Sequence, residues 1–247
     1  METAIGYLGD RRWLDITRDE RFFCAELYFA LKRVDTLQGF IERLNEAITS
    51  SNGPGPLRSE ATWEVGLEVA FYRDYVHAFG YQGEHHIKKL GPFSQKRTFD
   101  LCLFSKDQMV VIEAKANERL GSKQMREFAL DHLLLKKLIR PPAPEVLLIG
   151  LWSSDYRPRV NLMTFPFSDS LAKEAGLTQA QAEQYRDGVH LFNGHLHWKD
   201  LLELPGLSDG ARTVFRLADA VKLRDHGMIT KLSETDRSYV RTRQATT

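Results

Sequence analysis

The sequence predicts an α/β protein in which a helix, a run of strands, a second helix and a further strand follow one another, with helical additions at both ends. Three observations predict it. Residues 98–120, "TFDLCLFSKDQMVVIEAKANERL", read as two strands around a short polar turn, and both faces of that hairpin are largely apolar, the pattern of a central pair. The segments flanking the hairpin carry apolar residues at helical spacing. Residues 145–152, "EVLLIGLW", form a continuous apolar run suited to a buried strand. With 247 residues, 43% of them hydrophobic, the chain can bury one substantial core.

The elements follow in order. Residues 19–49 read as two helices: "DERFFCAELYFALKRV" carries Phe22, Phe23, Leu27, Leu31 and Val34 at helical spacing, and "TLQGFIERLNEAI" follows. "SNGPGP" at 51–56 is a linker or tight loop. Thr62 to Phe79 reads as a helix through Trp63, Leu67, Ala70, Phe71, Tyr75 and Ala78, with Gly80 just past its end. Tyr81 to Leu90 reads as a strand ended by Gly91-Pro92. After the hairpin, Ser122 is placed to N-cap a helix from Lys123 to about Ile139, which Pro141-Pro142 breaks before the strand at 145–152. The expected division is an N-terminal helical extension at 1–58, a core at 59–155 and a mixed α/β extension at 156–247.

In that last part "LTQAQAEQYRDG" reads as a capped helix and "WKDLLELPG" as a short helix closed by Pro-Gly. Between them "VHLFNGHLHW" reads as a hairpin turning at Asn193-Gly194, with His190 opposite His197 and His195 on the same face. Three histidines on one face are a candidate zinc set, but neither a cysteine nor a ligand-spaced carboxylate accompanies them, and the polar face of a half-buried hairpin is the expected role. His85-His86 fall on adjacent positions of a predicted strand and point to opposite faces.

The chemistry lies in the central hairpin. Closing it with two or four loop residues pairs Phe104 with Met109 and Cys102 with Val111, which sets Asp100 against Glu113; Lys115 joins the Glu113 face two residues on. Opposed carboxylates repel unless a positive charge lies between them. Two carboxylates and an ammonium make a hard, oxygen-rich pocket suited to Mg²⁺ or Mn²⁺, with the main-chain carbonyl of Ala114 as a further ligand. Lys115 is then placed to orient or deprotonate a water attacking a phosphate.

Phe99-Asp100 followed by Glu113-Ala114-Lys115 resembles the PD-(D/E)XK nuclease superfamily, the restriction-endonuclease-like fold, with Phe99 at the motif's proline position. The resemblance implies a core of helix, three antiparallel strands, helix and strand. It also implies metal binding by Asp100 and Glu113, a catalytic Lys115, and hydrolysis of a DNA phosphodiester that leaves a 5′-phosphate. A glutamate from the first core helix often joins the metal site in this family, and Glu68 is preferred over Glu64 for that place. Gln124 to Phe128 resembles the Gln-x-x-x-Tyr element of RecB-like exonucleases, with Phe for Tyr, which implies that Gln124 helps to hold the DNA or the site. The expected cofactor is Mg²⁺, with Mn²⁺ as a substitute. The expected partner is DNA, and cutting both strands calls for a homodimer.

The net charge of +1 gives no global basic signature. Local basic clusters at Lys88-Lys89, Lys96-Arg97, Lys136-Lys137 with Arg140, Arg157 with Arg159, and Arg237 to Arg243 form a phosphate track only if the fold gathers them around one cleft. Two cysteines, Cys24 and Cys102, suit a reducing cytoplasm. No apolar stretch spans a bilayer and "METAIGYLGDRRW" lacks a signal peptide's apolar segment, so a cytoplasmic protein is expected. The rival functional expectation is a DNA-binding or interaction module on the same fold that has lost turnover.

Overall fold

The computed structural model describes residues 19–50, 55–80, 96–116, 120–139, 141–154, 156 and 164–220. Two helices open it, α1 (Glu20–Ala30) and α2 (Val34–Ser50). Asp19 caps α1 by accepting the Arg21 N–H at 3.0 Å, and Phe23, Leu27 and Leu31, one turn apart, are fully buried. The Ser105 to Gln108 turn then joins β2 (Phe99–Phe104) to β3 (Gln108–Lys115). Their register pairs Phe104 with Met109 and Cys102 with Val111, as the alternation predicts.

Thr62 to Phe79 departs from its expected single helix. Glu64–Val69 is a strand, β1, antiparallel to β2, and only Phe71–Phe79 is helical, as α3. The physical reason is that Trp63, Val65 and Leu67 alternate at strand spacing while Trp63, Leu67, Ala70 and Phe71 also fit a helical spacing, and the sheet takes the first part. Ala70, at ψ 60°, makes the break between the two. The strand expected at Tyr81 to Leu90 lies outside the described residues.

Helix α4 (Ser122–Leu138) crosses from β3 to β4 (Glu145–Trp152), which runs parallel to β3. It starts one residue before the expected position, with Gly121 rather than Ser122 at the N-cap. A two-stranded sheet of β5 (Thr164–Phe165) and β6 (Val189–His190) encloses helices α5 (Asp169–Glu174) and α6 (Gln179–Glu183) in sequence. The expected capped helix is α6, where Thr178 and Gln181 form a reciprocal capping box.

The expected histidine hairpin does not form. Val189–His190 pairs with β5, whereas β7 (Gly194–His197) runs parallel to β4. Asn193 makes no tight turn; its N–H donates to Leu148 O at 2.7 Å and its Oδ1 accepts the Leu148 N–H at 2.8 Å, extending the β4 ladder by one side chain. His190 is therefore in a different sheet from His195 and His197. A 3₁₀ helix (Trp198–Glu203) and helix α7 (Asp209–Ala220) complete the described chain.

The main sheet has five strands in the order β1-β2-β3-β4-β7, antiparallel from β1 to β3 and parallel from β3 to β7. Helices α1, α2 and α7 cover one face, where Leu101, Leu103, Val110, Ile112, Leu147, Ile149 and Leu196 meet Phe23, Leu44 and Phe215. Helices α3 and α4 cover the other, where Cys102, Met109, Val111 and Leu148 meet Tyr72, Phe128 and Leu134. The result is a three-layer α/β/α protein with a mixed sheet. Gly194 lets α2 approach: a Cβ there would lie 2.8 Å from Ala47 O. Among the described residues no helix is long and apolar enough to cross a membrane.

Candidate functional site

The three charged residues of the hairpin come together where β2 begins and β3 ends. Asp100 sits in the row that the β2–β3 register assigns to Glu113, and its Oδ2 accepts the Ala114 N–H at 2.8 Å. Glu113 and Lys115 are each 4% exposed, and Lys115 Nζ lies 2.7 Å from Glu113 Oε1. The same oxygen accepts from Gln124 Nε2 at 2.8 Å, which places the first turn of α4 directly on the site.

A fourth charged side chain arrives from a direction the sequence did not indicate. Glu20, in the first turn of α1, accepts the Ala116 N–H at 2.8 Å through Oε1 and lies 3.4 Å from Lys115 Nζ through Oε2. Glu20 thus joins the site from α1, outside the 62–79 segment from which a further glutamate was expected. An acidic residue beside a helix N-cap is common for reasons of the helix dipole alone, so the only sequence signal for Glu20 was indistinguishable from a capping preference.

Glu68 belongs to the same neighbourhood. Its neighbours Leu67 and Val69 pair with Leu101 and Phe99, which flank Asp100, and its carboxylate is 3.5 Å from Arg21 Nε. Its φ of 51° is the one left-handed backbone among the described non-glycine residues. Glu64 stands opposite Phe104, at the other end of β1, and is exposed, so the structure does not bring it to the site.

Burial raises the Asp100 carboxyl to about 7, helped by the negative charge of Glu113 and opposed by Lys115 and the Ala114 N–H. Burial works against the Lys115 ammonium, but Glu113 and Glu20 outweigh it and hold the group above its ordinary range. Lys115 is thereby kept as a cation, which favours orienting or charge-stabilising work over proton abstraction. Cys24 and Cys102 are buried, and burial first, then nearby Asp100, pushes both thiols up, so neither is a reactive thiolate.

Among the described residues no group of three or more His, Cys, Asp and Glu side chains gathers as a metal cage. His195 and His197 are neighbours at 5.5 Å between ring centres, without a third ligand. The donor set at the hairpin is of a different kind. Asp100 Oδ1 and Glu113 Oε2 make no hydrogen bond with the described residues. Lys115 O accepts the Ser153 N–H on the β4 side, so strand alternation turns the Ala114 carbonyl to the Asp100 side. Two carboxylate oxygens and one carbonyl suit Mg²⁺, which takes one or two carboxylates and keeps several waters.

Of the basic clusters, only Lys96 and Arg97 have described side chains, and Arg97 is buried against Asp131. Comparison with protein-family models, with curated proteins and with solved structures returned no match to this chain.

Proposed function

We propose that this chain is a Mg²⁺-dependent DNA nuclease with a restriction-endonuclease-like core. The observation that carries the proposal is the pair of carboxylates, Asp100 and Glu113, each with one unengaged oxygen, beside a buried Lys115 ammonium 2.7 Å from Glu113. Such a group is expensive to bury as a structural device, and a functional site is the economical reason for its presence. With α2 and α3 interposed, α1, three antiparallel strands, α4 and a parallel β4 follow in sequence, which supports the same reading, and Glu20 and Gln124 bring the first turns of α1 and α4 to the hairpin's end.

In this reading Asp100, Glu113 and the Ala114 carbonyl hold the metal. Bound Mg²⁺ supplies charge stabilisation to the phosphoryl oxygens. Gln124 fixes the Glu113 carboxylate, leaving its other oxygen for coordination. Glu20 and Glu113 keep Lys115 protonated and aimed, so that its ammonium donates to the attacking water or to a phosphate oxygen. DNA is the proposed substrate, and a homodimer is the form that cuts both strands.

Incubating the purified protein with supercoiled plasmid and with linear DNA, in Mg²⁺ or Mn²⁺, tests the proposal beside an EDTA control and Lys115→Ala. Metal-dependent cutting that the variant loses supports it. Equal cutting by parent and variant overturns the assignment, and the substrate consumed separates endonuclease from exonuclease action.

A further inference from the structure

One buried charged group has no part in the site as described. Asp131, 3% exposed in the middle of α4, accepts from Tyr72 OH of α3 at 2.5 Å and from Arg97 Nε at 3.0 Å. Arg97 Nη2 is also 3.0 Å from Asp131 Oδ2, off the hydrogen-bonding direction, and the guanidinium lies 4.4 Å from the Phe128 ring centre. With its side chain 10% exposed, Arg97 forms a buried ion pair, and such pairs rarely add net stability over an apolar replacement. Their attested use is to fix one arrangement among several.

Helix α4 needs such an anchor. Gly121 gives its N-terminus no side-chain cap, and away from the site the helix's polar contacts include the half-exposed Arg126–Glu174 pair and His132 with Leu191 O, whereas the Asp131 cluster is buried. Gln124, Phe128 and Asp131 stand at helical spacing on one face, so the Arg97 contact and the Gln124 contact to Glu113 share one rigid element. An axial slip by one residue moves the helix by about 1.5 Å, enough to break the bond to Glu113.

We propose that Arg97 is a positioning residue: clamped on Asp131 and packed on Phe128, it sets the axial place of α4 so that Gln124 holds the Glu113 carboxylate. The metal readout below rests on the nuclease reading; the stability readout does not.

The test is a mutant cycle between Arg97→Met/Asp131→Leu, which removes both charges at similar volume, and Gln124→Ala. Melting is followed in EDTA and Mg²⁺ binding by calorimetric titration. In the parent, Gln124→Ala is expected to weaken Mg²⁺ binding by about tenfold and to lower the melting temperature. In the charge-free background Mg²⁺ binding is already weaker by about tenfold, and Gln124→Ala adds less than about twofold and a smaller melting shift. If Gln124→Ala costs the same in both backgrounds, Arg97 only joins α3 to α4 and the inference is overturned. If the parent binds no Mg²⁺, the metal reading fails, and the melting cycle alone decides: coupled effects support the positioning role and additive effects overturn it. Should the charge-free variant not fold, Arg97→Lys replaces it in the same cycle, since lysine keeps the charge and loses the planar contact.

Discussion

Glu20 and Lys115, 95 residues apart in the chain, meet at 3.4 Å between Oε2 and Nζ. The contact ties the start of α1 to the end of β3 and gives the buried ammonium a second carboxylate besides Glu113. Glu20→Gln keeps the acceptor for the Ala116 N–H and removes the charge. Metal-dependent DNA cleavage is expected to fall by about tenfold or more, with little change in melting, because an aimed charge is worth several kcal/mol at a water-poor site. An unchanged initial rate of plasmid nicking would confine Glu20 to holding α1 on the sheet.

That contact also marks how far the sequence could be read. The hairpin register was legible because it follows from local alternation and loop length, and it brought Asp100, Glu113 and Lys115 to one place without any tertiary knowledge. β4 was legible as an apolar run between a proline pair and polar residues, and Gln124 fell at the start of the helix that connects the two. Glu20 was not legible, because a contact over 95 residues leaves no trace in the periodicity of its own helix. Leu67 and Phe71 satisfied both helical and strand spacing, and the competition was settled by the open edge of β2. The Asn193-Gly194 signal failed for a similar reason: β4 offered a place in a five-stranded sheet, which an isolated two-strand ribbon could not match.

A pH dependence follows from Asp100. The unfolded chain ionises an aspartate at its ordinary value of 3.8, whereas burial beside Glu113 raises the folded group to about 7. Between those values the folded state binds more protons, so the contribution of Asp100 to stability falls as pH rises from about 4 to about 7 and stays lost above that. In EDTA, the melting temperature of the parent is therefore expected to drop relative to Asp100→Asn across this window. Asparagine can still accept the Ala114 N–H, so the difference isolates the charge. Parallel melting curves from pH 4 to 8, in units chosen to span about two on either side of the midpoint, would rule out the shift.

Packing at the other sheet edge gives a prediction independent of the chemistry. Gly194 opens β7 where α2 crosses, and an added Cβ meets Ala47 O at 2.8 Å and Ala47 C at 2.9 Å, both backbone atoms that cannot turn aside. Gly194→Ala is expected to destabilise the protein by about 1–3 kcal/mol in urea titration. Cleavage per folded molecule should persist, since β7 is separated from β3 by β4.

Glu68 offers a test of whether strain is kept for function. Its φ of 51° costs an L-residue about 1–2 kcal/mol, which glycine does not incur. Glu68→Gly is expected to raise stability or leave it level in urea titration, and Glu68→Val, with a branched Cβ, to lower it by more than about 1 kcal/mol. A residue that gains stability when replaced has been retained for another reason, and its place between Leu67 and Val69, whose partners flank Asp100, points to the site. Under the nuclease reading, Glu68→Gly should therefore be at least as stable as the parent yet bind Mg²⁺ about tenfold more weakly. A variant equally stable and equally good at binding Mg²⁺ would remove Glu68 from the metal site and leave its carboxylate as the partner of Arg21 alone.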